Sequence, residues 1–161
     1  MAVEQGNDRI AKALGRIPSG AAIVTAKAEG RRAGLLASWI QQAAFDPPMI
    51  SIAIKKGRPI EKLIDASGAF VLNLLGEDNK DEMFKRFAGG FRPDEDAFTG
   101  QTATDVPGGV AIDHRIAWLS ASVYAKHDAG DHWLYLGKVT AADVGEIRQP
   151  YVHLRKNGLS Y

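Results

Sequence analysis

Along this chain, short apolar runs alternate with small or polar residues at a period of two, punctuated by glycine, proline and aspartate. Asp8 is placed to cap a short helix running to Arg16, with Ile10, Ala13, Leu14 and Ile17 on one face. Pro18-Ser19-Gly20 stops it. Residues 21–28 read as a strand, Glu29-Gly30 as a turn and residues 33–40 as a second strand. Asp46-Pro47-Pro48 breaks the chain, and residues 49–54 alternate large with small side chains, as a half-buried strand does. Gly57-Arg58-Pro59 opens a helix over 60–65 that closes near Gly68. Residues 69–75 make a core strand, 81–87 a short helix and 88–100 a long loop. Strand patterns return at 110–112, 118–127, 133–144 and 151–154, with turns at Gly130 and Gly145. Many short strands with few helices favour an antiparallel barrel over an alternating βα sheet. Closing a barrel also hides strand edges.

Composition narrows the functional classes. The 161 residues match one ordinary domain, expected to span 1–161, and the 45% hydrophobic and 24% charged shares are those of a globular chain. Lys and Arg number 20 against 19 for Asp and Glu, so concentrated positive charge for nucleic acid or an anionic membrane is not expected. Near-neutral charge is also permissive for self-association. There is no cysteine, which excludes disulfides, thiolate metal sites and cysteine nucleophiles. Electron transfer by this chain therefore requires a bound cofactor. No apolar stretch approaches the roughly 20 residues of a membrane helix, and residues 1–10 lack a signal-peptide pattern. A cytoplasmic location is the expectation, for a chain that is either free-standing or one domain of a larger protein.

Three places carry candidate chemistry. In 34–48, a strand ends in small and polar residues before a sharp Pro-Pro turn. Small residues let backbone amides approach a planar ligand, and Ser38, Gln41 and Gln42 can add hydrogen bonds. An ordinary strand and loop fits the same residues. Lys55, Lys56 and Arg58 lie in a glycine-containing turn before the Pro59 helix, whose free amides suit a phosphate; a solvated basic turn is the alternative. His132, next to Asp131, is either a ligand-positioning residue or a strand histidine held by its neighbour. His114, His127 and His153 share no metal-ligand spacing, so no metal is expected. No Rossmann fingerprint, P-loop, Ser-His-Asp order or paired catalytic carboxylates occur.

The segment Gly34-Leu35-Leu36-Ala37-Ser38, followed by Asp46-Pro47-Pro48, resembles the N-terminal signature of the flavin reductase-like family, the FMN-binding split barrels. The resemblance continues through Lys55–Pro59, through Gly68-Ala69-Phe70 with Asn73, and through Gly130-Asp131-His132. Leu36 and Trp39 stand where many members have hydroxyl residues. That variant is similar to the flavin reductase domain of cyanobacterial diflavin flavodiiron proteins.

The resemblance implies an antiparallel Greek-key split β-barrel with a few short helices. It implies FMN, with FAD as the alternative, whose ring lies along Leu36, Ala37, Ser38, Trp39, Ile40 and Gln41, held mainly by backbone amides. Lys56 and Arg58 would meet the phosphate, with Phe87 and Arg92 as further contacts. Trp39 would flank the ring or serve as a barrel or interface residue. His132, with its tautomer fixed by Asp131, would lie where NADH or NADPH stacks. Hydride transfer between stacked rings needs no protein acid or base, so no catalytic side chain is expected. The implied activity is an FMN-dependent NAD(P)H:flavin oxidoreductase, homodimeric, passing electrons to free flavin, oxygen or a partner protein. The alternatives are an electron carrier reduced by a protein partner and a flavin-free dimerisation module. The terminal segment 151–161 is similar to the family's closing strand and tail, which often reaches the neighbouring site.

Overall fold

The two-residue turn Glu29-Gly30 sets the first hairpin. Both residues have positive φ (51° and 74°), as a type I′ turn requires, and they join strand β1 (Ala22–Ala28) to β2 (Arg31–Ala37). In this computed structural model, which describes residues 2–145 and 148–160, nine further strands and helices follow in chain order among the described residues. They are β3 (Ile40–Ala44), β4 (Met49–Lys55), helix α2 (Pro59–Ser67), β5 (Ala69–Leu74), helix α3 (Lys80–Phe87), the hairpin β6 (Ala103–Val106) and β7 (Gly109–Ile112), and the long pair β8 (Ala117–Ala129) and β9 (His132–Val144). Helix α1 (Ala2–Leu14) precedes them. Met1 and Tyr161, the limits of the expected domain, lie outside the described residues.

Seven strands form one antiparallel sheet in the order β2-β1-β5-β8-β9-β4-β3. Its edge strands, β2 and β3, are consecutive in the chain and separated only by Ser38 and Trp39. Two residues span only about 10 Å from the last Cα of one strand to the first of the next. The sheet therefore curls until its edges meet, giving a barrel split beside β2. Bulges in β8 near Ser120 and Val123 assist the curl. So does Gly137, where a Cβ would lie 2.7 Å from the Phe70 ring.

The barrel core holds Val24, Ile52, Ile54, Phe70 and Tyr135, and α2 sets Ile60, Leu63 and Ile64 into it. Proline at the first turn of α2 and Gly68 in the left-handed conformation beyond its end define that helix. A second core lies outside the barrel. There β1 turns Ala21 and Ile23 towards Leu75, α3 and the β6–β7 hairpin, so β1 is buried on both faces and reads as a continuous apolar run.

The β6–β7 hairpin pairs with no strand of the main sheet. Side chains hold it instead. The buried Thr25 hydroxyl donates to the Val110 carbonyl (2.6 Å) and accepts from the Val110 amide (2.9 Å). Asn73, also buried, donates to the Ile23 and Val110 carbonyls (3.2 and 3.0 Å) and accepts from the Ile112 amide (2.9 Å). Gly109 permits this approach, since a Cβ there would lie 2.8 Å from the Thr25 hydroxyl.

Several sequence expectations change. The helix begins at Ala2, so Asp8 is not its cap and instead pairs with Lys12 one turn on (2.6 Å). The strand expected over 33–40 starts at Arg31 and breaks at the crossing, and β3 continues beyond it. The polar hairpin strand β6 carries no apolar alternation to announce it. No strand forms at 151–154. That segment makes a single bridge to Ser19, and Pro150 makes another to Gly76, so successive residues bond to different parts of the fold.

Truncating Asn73 removes three hydrogen bonds to backbone groups inside the protein, those to the Ile23 and Val110 carbonyls and from the Ile112 amide. Asn73→Ala is expected to lower the unfolding free energy by about 2–4 kcal/mol with an unchanged denaturant slope. Urea titration checks this, and a loss under about 1 kcal/mol would show that the hairpin docks without Asn73.

Candidate functional site

The split opens into two adjoining grooves, of about 490 and 550 Å³, that share Leu35 and Arg58. The first lies at the crossing. Its floor is Leu36, Ala37, Ser38 and Trp39 from the end of β2, with Ala53 and Lys55 from β4 and Phe84 from α3. The C-terminal segment closes the other side with His153, Arg155, Lys156 and Asn157. The second groove runs from β2 along the start of α2, past Lys56, Arg58 and Trp133, to Arg92 in the long loop.

Strand geometry explains why these side chains converge. The amide of Ala53 donates to the carbonyl of Trp39 (3.0 Å), extending the β3–β4 pairing up to the crossing. Gly34, in β2, leaves room for the buried rings of Phe87 and Phe98; a Cβ there would lie 2.8 Å from Phe87. At the far end of β4, Lys55 pairs in register with His132. The turn that follows is pinned by the Lys56 amide donating to the Asp131 carbonyl and the Gly57 amide donating to Glu61.

Trp39 is the hub of the first groove. The His132 ring lies 4.7 Å from its own ring, and the Arg155 guanidinium 4.6 Å from its centroid. Arg155 also donates to the Ser38 hydroxyl. His132 is only 4% exposed, and its Nδ1 is 2.8 Å from the Asp131 carboxylate. That hydrogen bond holds the exposed Asp131 carboxyl below its usual range. Burial, then the nearby Arg155 charge, pushes the His153 imidazole down.

The first groove has a one-sided donor set. Lys55, Arg58, Arg155 and Lys156 line it together with Ser38 and Asn157, and no Asp or Glu does so among the described residues. The cations of the second groove are more committed. Lys56 donates to Asp128 (2.8 Å), depressing that carboxyl, and sits 4.4 Å from the Trp133 ring. Arg92 is largely in solvent with Asp94 at 3.9 Å. Arg58 makes no side-chain ion pair among the described residues, and it alone of these cations lines both grooves.

The sequence candidates therefore separate. Leu36, Ala37, Ser38, Trp39 and Arg58 come together in the first groove, and Lys56, Arg58 and Arg92 in the second. Ile40 and Gln41 face a third, apolar hollow of about 460 Å³ with Met49, Leu72, Leu119 and Val139. Phe87 is fully buried in the second core against Phe91 and Phe98 and does not line a groove. His132 lies beneath Trp39, and neither it nor Asp131 lines these grooves. Sequence reasoning named Lys55 in the basic turn but missed Phe84 and the individual tail residues, although the tail itself was expected near the site. Nothing in the spacing of Arg155 marks it, because its partners lie more than a hundred positions earlier.

An apolar floor with hydroxyl, amide and cationic donors fits a planar nucleotide that carries a phosphate. The family model described as flavin reductase like domain matches residues 14–158. Diflavin flavoprotein A 1 of Synechocystis sp. (strain PCC 6803) is 37% identical over 152 residues, covering 93% of this chain and 26% of that protein. This chain thus spans about a quarter of the length of that relative. Among solved structures, a nitrilotriacetate monooxygenase component B homologue from Mycobacterium thermoresistibile is 29% identical with a TM-score of 0.80, covering 96% of this chain and 84% of that one. The NADH:FAD oxidoreductase of Streptomyces globisporus C-1027 shares the fold at 21% identity, with a TM-score of 0.82 over 91% of this chain and 86% of that one. With its split barrel and the match over nearly its whole length, the chain belongs to the flavin reductase like domain family.

Proposed function

We propose that the first groove binds FMN and that the protein is an NAD(P)H-dependent flavin reductase. The carrying observation is the donor set at the split, with the cations Lys55, Arg58, Arg155 and Lys156, the neutral donors Ser38, Asn157 and Ser160, and, among the described residues, no Asp or Glu over an apolar floor. The ring lies along Leu36–Trp39, where small residues leave backbone amides accessible, and Arg58 at the start of α2 takes the phosphate with help from the helix dipole. Bound flavin supplies the electron-transfer chemistry between nicotinamide and acceptor. The protein binds and orients the rings and excludes water, and no side chain is needed to move a proton. FMN is favoured over FAD because the phosphate donors sit next to the ring floor, with Arg58 touching both grooves. Free flavin, oxygen or a protein partner takes the electrons.

Trp39 supports a second reading, an electron carrier reduced by a protein partner. Its ring covers His132, the residue the resemblance assigns to nicotinamide, and the C-terminal segment borders the same groove. Hydride transfer needs the two rings stacked, so a nicotinamide must share or displace this cover. The apolar hollow beside Ile40, Leu119 and Val139 suits a second copy of the chain, giving a homodimer with the grooves near its interface. Among the described residues, no helix is long and apolar enough to cross a membrane. We place the protein in the cytoplasm.

Three outcomes are expected. Protein reconstituted with FMN shows the bands of bound oxidised flavin and bleaches anaerobically with NADH or NADPH. Bleaching only by a reduced protein favours the carrier, and absence of bound flavin overturns both readings. Arg58→Gln weakens FMN binding by about 10- to 100-fold, the loss of one charge-assisted phosphate contact, measured by fluorescence quenching. Sedimentation equilibrium finds a dimer in the wild type and a monomer in Leu119→Arg; a wild-type monomer would overturn the dimer.

A further inference from the structure

We infer that Arg155 makes the first groove prefer reduced, anionic flavin over the oxidised form, so that the C-terminal strap sets the redox preference of the site. The inference rests on the flavin reading and goes beyond it, because it assigns a distinct task to one residue of the C-terminal segment.

Arg155 does not project from a loose end. Upstream, the His153 amide donates to the Ser19 carbonyl (2.7 Å) and the Ser19 amide to the His153 carbonyl (3.1 Å). Downstream, the Gly158 amide donates to the Ala11 carbonyl (2.9 Å). Gly15 and Gly158 allow close contact here, since a Cβ on Gly15 would lie 2.7 Å from the Arg155 carbonyl. The strap is thus tied to α1 and to the start of β1, and Arg155 sits between the ties.

Its guanidinium is then fixed at the crossing. It donates to the Ser38 hydroxyl and lies 4.6 Å from the Trp39 ring centroid. A planar guanidinium held at two points keeps its position better than an ammonium would. Ser38 and Trp39 belong to the floor proposed for the ring, whereas Arg58 and Lys56 belong to the phosphate end. The two kinds of cation therefore act on different parts of the ligand.

Charge at the phosphate end is the same for oxidised and reduced flavin and cannot discriminate between them. A flavin that has taken up two electrons and one proton carries an additional negative charge on its ring. A fixed cation beside that ring stabilises the reduced form selectively. The downward push that Arg155 exerts on the His153 imidazole is consistent with a positive field there.

The test compares affinities in the two redox states. Apo-protein is titrated anaerobically with oxidised FMN and with dithionite-reduced FMN, for the wild type, Arg155→Gln and Arg155→Lys, with circular dichroism checking the fold. The wild type is expected to bind reduced FMN at least tenfold tighter than oxidised FMN. That ratio is worth about 30 mV in the two-electron potential. Arg155→Gln brings the ratio close to one, and Arg155→Lys retains most of it. Equal weakening of both states by Arg155→Gln overturns the inference, because it makes Arg155 a general anchor while leaving the flavin site intact. Should Arg155→Gln fail to fold, the wild-type potential decides: a value below that of free FMN overturns the inference, and a value above it supports it. Absence of wild-type binding to either form overturns the flavin reading as well.

Discussion

Everything at the candidate site follows from one constraint of reach. The strands at the two edges of a seven-stranded sheet are consecutive in the chain, and Ser38-Trp39 is all that joins them. An open, flat sheet of seven strands would hold its edges almost 30 Å apart, at about 4.8 Å per strand spacing. A two-residue link cannot cover that distance, so the sheet must roll up on itself. The same link ends the β2 ladder at the split, which leaves Leu36, Ala37, Ser38 and Trp39 lining a groove instead of covered by a further strand. Fold closure and ligand access thus have a common origin.

The outside of the barrel stabilises the phosphate end. Lys126 of β8 reaches Asp65 (2.8 Å) and Glu61 (3.3 Å) on α2, and the Tyr135 hydroxyl donates to Asp65 (3.2 Å). Burial alone would lower the Lys126 pKa, but its hydrogen bonds to Asp65, Tyr135 and Glu61 outweigh that and raise it. Burial pushes the Tyr135 hydroxyl up to about 12. Lys56 and Lys126 both lie over the Trp133 ring, at 4.4 and 4.3 Å. The long hairpin and the first turn of α2 are therefore locked together, and this fixes where Arg58 emerges. Its neighbour Lys56 is already balanced by Asp128, so the net field at this end comes from Arg58.

How legible this was in the chain depended on the range of the interactions. Local signals read well. Glu29-Gly30 marks a hairpin, Pro59 and Gly68 bound a helix, and alternation in 49–54 marks a strand, because each is decided within a few residues. The family motifs drew attention to Leu36–Trp39, which line the first groove, and to the basic turn beside it. What escaped was set by distant partners. The break at Ser38-Trp39 is invisible because the small residues around it suit a continuous strand equally well. Phe87 looks like a ligand contact until the space above Gly34 proves to need its ring. Ile40 and Gln41 follow the floor residues directly in sequence, yet the crossing carries them to another face. Asn73, a polar residue in an apolar strand, was visible as a motif but not as the clamp it forms, since its partners Ile23 and Ile112 lie far away in the chain.

The attachment of the β6–β7 hairpin has a consequence for how such a domain tolerates change. The hairpin is attached to the barrel by side chains, Thr25 and Asn73 foremost, and not by strand pairing, and the segment 88–102 that leads into it adds no strand to the main sheet. Lengthening a flexible connection of this kind costs only about 0.6 kcal/mol per doubling, whereas inserting one residue at Ser38-Trp39 would slip an entire edge. Variation in loop size is therefore expected to accumulate at 88–102, on the rim of the second groove, and to leave the length of the crossing fixed. Diversity in what the groove admits can arise there without altering the closure of the barrel.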